Sequence, residues 1–180
     1  MFSAKLLVIL SIPLLLLGCI SADSTKLNDS GLAKYENGDY AGALADYNKA
    51  IELIQKGDAY AKDNEVIYTN RGDAKLALGD YQGAVADYTK AIELNPKHAM
   101  AYNNRGAVKG RYLNDVQGEI SDYTKAIEAD PSNAAAYTNR GAAKYRSGDI
   151  EGAKQDINKA HQIDPSLPDY ETLKAILDAE

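Results

Sequence analysis

The chain has 180 residues, enough for one domain with a sizeable core. Its 45% apolar and 26% charged residues exclude a disordered chain, and a net charge of −6 without any basic run excludes binding built on nucleic-acid phosphates. A single cysteine excludes an intramolecular disulfide, and thirteen Tyr against one Phe and no Trp leave an aromatic balance that needs a cause.

Met1 to Lys5 carries one charged side chain, and Leu6 to Leu17 is almost wholly apolar. Twelve helical residues reach about 18 Å, too short for a hydrocarbon core of about 30 Å. Pro13 interrupts the run as well. A charged start, a short apolar run and small residues after it predict a signal peptide over residues 1–18. The run ends in Leu16-Leu17-Gly18-Cys19, which resembles the lipobox of bacterial lipoproteins. That resemblance implies diacylglycerol on the Cys19 thiol, cleavage before it, and acylation of the new amine. With Ile20 rather than Asp after the cysteine, it implies an outer-membrane address facing the periplasm. Ordinary secretion and an uncleaved anchor are the alternatives. Residues 19–23 read as a short tether.

Pro96, Pro131 and Pro165 are 35 and 34 residues apart, each after Asn or Asp. Upstream of them run YTNRGDAKLALGDYQGAVADYTKAIELNP, YNNRGAVKGRYLNDVQGEISDYTKAIEADP and YTNRGAAKYRSGDIEGAKQDINKAHQIDP, and an earlier copy reads GLAKYENGDYAGALADYNKAIEL. In the second copy Tyr68, Gly72 and Lys75 share one helical face, and Ala84, Tyr88 and Ala91 another. Small residues let the two helices approach while tyrosines fill the space beside them. Gly38-Asp39, Gly79-Asp80 and Gly148-Asp149 punctuate three copies: glycine ends the first helix, aspartate caps the second. Asn114-Asp115 takes that place in the third, asparagine being the next most tolerant residue. The proline then ends the second helix. The tyrosine excess follows from three repeat positions: Tyr68, Tyr102 and Tyr137; Tyr47, Tyr88 and Tyr123; Tyr40 and Tyr81.

These copies resemble tetratricopeptide repeats (TPR). The resemblance implies an all-α solenoid of helical hairpins with a concave groove: TPR 1 at 24–64, TPR 2 at 65–98, TPR 3 at 99–133, TPR 4 at 134–167, and a capping helix at 168–180. The third copy is one residue longer between Lys109 and Asp115, so its first helix is extended or kinked, and it carries Glu119 where the family has Ala. About seven extra residues stand around Gln55 to Asn64, where Gly57-Asp58 breaks the helix.

The three Asn-Arg-Gly triplets are the main polar feature. By resemblance Asn70, Asn104 and Asn139 face the groove, where family members hydrogen-bond an extended peptide. The groove face is expected to include Asn70, Asp73, Asn103, Asn104, Thr138, Asn139 and Arg146, with Arg111 depending on the insertion. The carboxylate clamp of chaperone-binding relatives is missing: its positions hold Val66, Met100, Ala135, Asp73, Ala107 and Ala142. Arg71, Arg105 and Arg140 replace the usual leucine, and Asp46, Asp87, Asp122 and Asp156 recur on the second helix. An Arg–Asp ladder along the stack is expected, since arginine matches a carboxylate in bidentate fashion. Lys34, Lys75, Lys109 and Lys144 are expected to lay their stems over the packing and keep the ammonium in water.

Neither His98 nor His161 has a nucleophile or metal partner in sequence, and no phosphate loop or paired-cysteine spacing occurs. No catalysis, cofactor, metal or nucleic-acid partner is expected. The chain reads as a lipid-anchored scaffold or adaptor of the bacterial envelope that binds a partner peptide or helix in its groove. The alternatives are a self-associating structural repeat protein, forming homo-oligomers without an external ligand, and a secreted, non-lipidated TPR protein.

Overall fold

The computed structural model describes residues 14–56 and 64–177. Among them the order is α1 (Leu14–Glu36), α2 (Tyr40–Gln55), α3 (Asn64–Ala77), α4 (Tyr81–Leu94), α5 (Ala99–Leu113), α6 (Val116–Ala129), α7 (Ala134–Arg146), α8 (Ile150–Ile163) and α9 (Tyr170–Leu177), with no strand. Hairpins pair α1 with α2, α3 with α4, α5 with α6 and α7 with α8. Each second helix also packs on the first helix of the next hairpin. This is the four-hairpin solenoid with a terminal helix that the repeats predict.

The hairpin turns form as their sequence dictates. Gly38, Gly79 and Gly148 sit at φ 81°, 82° and 89°, and Asn114 at 54°. A left-handed residue lets the chain turn while its amides cap the helix it leaves: Asp80 N–H donates to the Lys75 carbonyl at 2.9 Å. Asp39, Asp80, Asp115 and Asp149 then cap the next helix, each accepting from the amide of a glycine three residues on. The extra residue of the third copy extends α5 to fifteen residues. The Lys109 carbonyl takes the amides of both Asn114 and Asp115, so a wider turn absorbs the insertion and leaves the start of α6 unchanged. The extension carries Tyr112 onto Tyr81 of the preceding hairpin, where the rings stack with centroids 4.1 Å apart.

Tyr47, Tyr88 and Tyr123 lie buried inside three hairpins, with Ile157 in the fourth. Each needs a near-bare backbone opposite. A Cβ at Gly72 would come 2.6 Å from the Tyr88 ring, and one at Gly141 2.7 Å from Ile157. On α9, Tyr170 closes the last hairpin against Ala153 and Ile157, with Leu173 beside it. The side chains of Ile176 and Leu177 lie outside the described residues.

At the other end α1 starts upstream of Ser24, so the segment read as a tether (19–23) continues the helix. Residues 1–13 of the expected signal peptide lie outside the described residues. So do the side chain of Cys19 and the insertion at 57–63. No described helix is long and apolar enough to cross a membrane.

Candidate functional site

The repeated polar residues form two systems, one inside the hairpins and one along the row of first helices.

Inside the hairpins, Arg71, Arg105 and Arg140 each grip the aspartate of their own hairpin with two nitrogens. Arg105 Nε and Nη2 donate to Asp122 at 2.9 and 2.7 Å, and the Arg71–Asp87 and Arg140–Asp156 pairs repeat that geometry. The third nitrogen crosses to the preceding hairpin: Arg71 Nη1 to Asn48, Arg105 Nη1 to Thr89, Arg140 Nη1 to Thr124. Each guanidinium also lies over the ring of the tyrosine three residues before it, 5.4–5.7 Å from the centroid. The ladder thus works both within and between repeats.

The recurring lysines differ from expectation. Lys75, Lys109 and Lys144 bring their ammonium groups to 2.8–2.9 Å from the same aspartates, and Lys34 reaches Asp46 at 2.6 Å. A buried carboxylate accepts four or so hydrogen bonds, so one guanidinium does not saturate it and a second cation is drawn in. In the first hairpin Lys34 and Ser30 stand in for the missing arginine. Their hydrogen bonds, the Lys34 bond first, hold the Asp46 carboxyl below the ordinary range.

Along α1, α3, α5 and α7 runs a row of amides. Asn70 donates to Asn28, Asn104 to Asp73, and Asn139 to Asn103. Five of the seven expected groove residues thus join one half-buried row, linked in part to one another. In each donating asparagine the amide oxygen has no partner among the described residues. Asp73 also accepts from the Tyr88 hydroxyl at 2.6 Å. Burial lifts its carboxyl above the ordinary range, partly offset by the bonds from Tyr88 and Asn104. Thr138 is different: its hydroxyl donates to the Ala134 carbonyl of its own helix. The fully buried Thr69, one turn from Glu65, does likewise and also meets His98 Nε2 at 3.0 Å.

Arg146 is not a free groove cation. Its Nη2 lies 2.8 Å from both oxygens of Glu119, the residue that departs from the repeat pattern. Glu119 is buried and needs the room that Gly110 provides, since a Cβ there would run into its carboxylate. The Tyr123 hydroxyl bonds to the same glutamate; burial, then the Glu119 charge, raises its pKa. Sequence reading noted Glu119 as a departure but missed this constellation. The signal was present: a glutamate in the small-residue position coincides with a glycine on the preceding helix and an arginine on the next. Beside them a cleft of about 390 Å³ opens between α5, α6 and α7, floored by Ala107 and Ala142 and edged by Arg111, Asn139 and Arg146.

No group of three His, Cys, Asp or Glu able to hold a metal ion occurs among the described residues. His98 stands at the N-terminus of α5, and His161 Nδ1 lies 2.9 Å from the Leu167 carbonyl.

This is the architecture of an all-α repeat solenoid whose polar residues bind its own helices together. The chain is a tetratricopeptide-repeat protein: TPR repeat models match residues 27–56, 72–111 and 122–155, together more than half of it. No curated protein matches the chain. Among solved structures it is similar to MamA, at 22% identity and a TM-score of 0.71 over 84% of each chain. The first TPR of Spaghetti (RPAP3), bound to the HSP90 peptide SRMEEVD, is 26% identical with a TM-score of 0.63 over 71% of this chain and 95% of that one. YrrB, described as a TPR protein with an unusual peptide-binding site, is 21% identical with a TM-score of 0.63 over 81% of this chain and 71% of the other.

Proposed function

We propose that the chain is a protein-binding scaffold that holds an extended segment of a partner against the row of α1, α3, α5 and α7, and that a lipid on Cys19 anchors it in the bacterial cell envelope, at the outer membrane. The observation that carries the binding reading is the row of amides. The bonds along the row hold each donating side chain, yet leave an amide oxygen and an N–H hydrogen without a protein partner among the described residues. A peptide backbone offers one donor and one acceptor per residue, which such an amide meets in pairs. Two solved TPR structures of similar fold, one bound to a peptide and one with a peptide-binding site, support the reading. The anchor rests on the sequence alone: a short apolar leader ending in Leu-Gly-Cys, with the chain's only cysteine there. Several acyl chains hold a protein stably where one does not.

Crosslinking in the native envelope, followed by identification of the captured chain, tests the binding reading. Asn104→Ala combined with Asn139→Ala is expected to weaken capture roughly tenfold or more, at about 1 kcal/mol per lost hydrogen bond, while the helical CD spectrum persists. Undiminished capture refutes the groove as the site. Cys19→Ala is expected to move the protein to the soluble fraction and abolish palmitate labelling; a wild-type chain that takes up no palmitate overturns the anchor.

A further inference from the structure

We infer that the cleft between α5, α6 and α7 is a subsite for a carboxylate of the bound segment, with Arg111 and Arg146 as its cations. The inference rests on the reading that this face holds a protein segment, and adds the chemistry of what sits there.

Charge is the first argument. The cleft holds Arg111, Arg146 and Glu119, one net positive charge on a protein that is otherwise acidic. Arg111 is exposed and has no hydrogen bond or ion pair among the described residues. Every other guanidinium has a carboxylate: Arg71, Arg105 and Arg140 through the ladder, Arg146 through Glu119.

Geometry is the second. Glu119 engages Arg146 through Nη2 alone, so Nη1 and Nε have no partner among the described residues on a side chain that lines the cleft and is 47% exposed. A guanidinium tethered to one buried carboxylate through a single nitrogen is already partly ordered and keeps two nitrogens to fork a second carboxylate.

Room is the third. Gly110 and Ala107 stand on α5 and Ala142 on α7, so the space between the arginines is bounded by small residues. In the preceding repeat the places of Gly110, Arg111 and Glu119 fall to Leu76, Ala77 and Ala84, which supply neither the cations nor the buried glutamate. The subsite therefore belongs to one step of the stack, and these cations lie outside the clamp positions held by Met100, Ala107, Ala135 and Ala142.

The carboxylate can come from an acidic side chain or from a chain terminus. Full-length protein titrated with acetyl-Ala-Glu-Ala-amide, acetyl-Ala-Gln-Ala-amide and acetyl-Ala-Ala-Ala with a free carboxyl terminus separates these sources, read as NMR shifts of Asn139 and Ala142. At least one carboxylate peptide is expected to give saturable shifts confined to the cleft, with the tighter of the two naming the source. The glutamine peptide is expected to give none. Arg111→Gln, which breaks no hydrogen bond or ion pair among the described residues, is expected to weaken binding about fivefold or more, and Arg111→Lys to retain most of it. Absence of saturation by both carboxylate peptides at about 20 mM, equal binding of the glutamine peptide, or an Arg111→Gln titration that matches wild type overturns the subsite. Capture in the envelope that persists alongside such a result leaves the groove reading standing; loss of both removes it as well.

Discussion

Arg105→Leu is the most informative perturbation of the ladder, because leucine keeps the volume and apolar stem that this repeat position tolerates. The change deletes two charge-assisted bonds to Asp122, one bond to Thr89 and the contact over the Tyr102 ring. The pair is well shielded, with Arg105 at 15% and Asp122 at 4% side-chain exposure. Removing one partner of a buried pair costs roughly 3–5 kcal/mol when the other is left uncompensated. Asp122 is not left so, because Lys109 remains 2.8 Å away. The expected cost is therefore about 2–3 kcal/mol, below or at the lower edge of that range. In urea, with a slope of about 1–3 kcal/mol per molar, the midpoint falls by about 0.7–3 M. A double-mutant cycle with Asp122→Ala should return a coupling of about 2 kcal/mol. Lys125→Ala, which breaks an exposed pair with Glu128, should leave stability close to wild type. Raising salt to 1 M should erase the small effect and leave the large one. Arg105→Leu within about 0.5 kcal/mol of wild type, or a vanishing coupling, refutes the view that the ladder stabilises the stack.

Gly79→Ala should lose about 1 kcal/mol from the left-handed backbone alone, since a Cβ there meets no atom within 4 Å, and Gly79→Asn should lose less, because Asn114 holds the matching turn; thermal melts of the two variants compare them directly. Asp73 and Asp46 should respond to pH in opposite senses. The raised pKa of Asp73 means that its ionised form opposes folding, so Asp73→Asn gains stability at pH 7, and the gain fades as pH falls through the raised folded-state value and is gone below 3.8. The lowered pKa of Asp46 stabilises the fold above 3.8 and ceases to do so as pH falls through the folded-state value, so Asp46→Asn costs about 1 kcal/mol at pH 7 and nothing in strong acid. Urea unfolding of both variants and wild type between pH 7 and pH 3 reads these signs, and the same sign for both refutes the assignment.

Local rules made most of the fold legible. Gly-Asp pairs and spaced prolines act within a few residues of themselves, so hairpin boundaries could be placed without knowing how helices cross. The Arg–Asp pairs were legible because both members recur at a constant separation. The lysines were misjudged for a different reason. Lys75 and Asp87 lie twelve residues apart across a turn, and only the crossing of α3 and α4 shows that their side chains converge where Arg71 already stands. Asn70, Asn104 and Asn139 were placed on the correct row, but their mutual bonds depend on the stagger between neighbouring hairpins, which no single repeat encodes. Arg146 is legible as a polar residue of the first-helix row, but its tie to Glu119 is not, because it joins residues 27 apart in two different repeats.

The third nitrogen of each ladder arginine gives the stack a direction. Arg71, Arg105 and Arg140 all reach back toward the hairpin that precedes them in the chain, and none of these three reaches forward. Two of the acceptors they find are anchored without them: Thr89 and Thr124 each donate to a carbonyl of their own helix. A ribosome releases the chain from its N-terminus, so each finished hairpin presents its acceptor before the arginine that needs it has been made. Growth by addition at the C-terminal end never leaves a guanidinium waiting for its neighbour, whereas erosion from the N-terminal end strips one at every step.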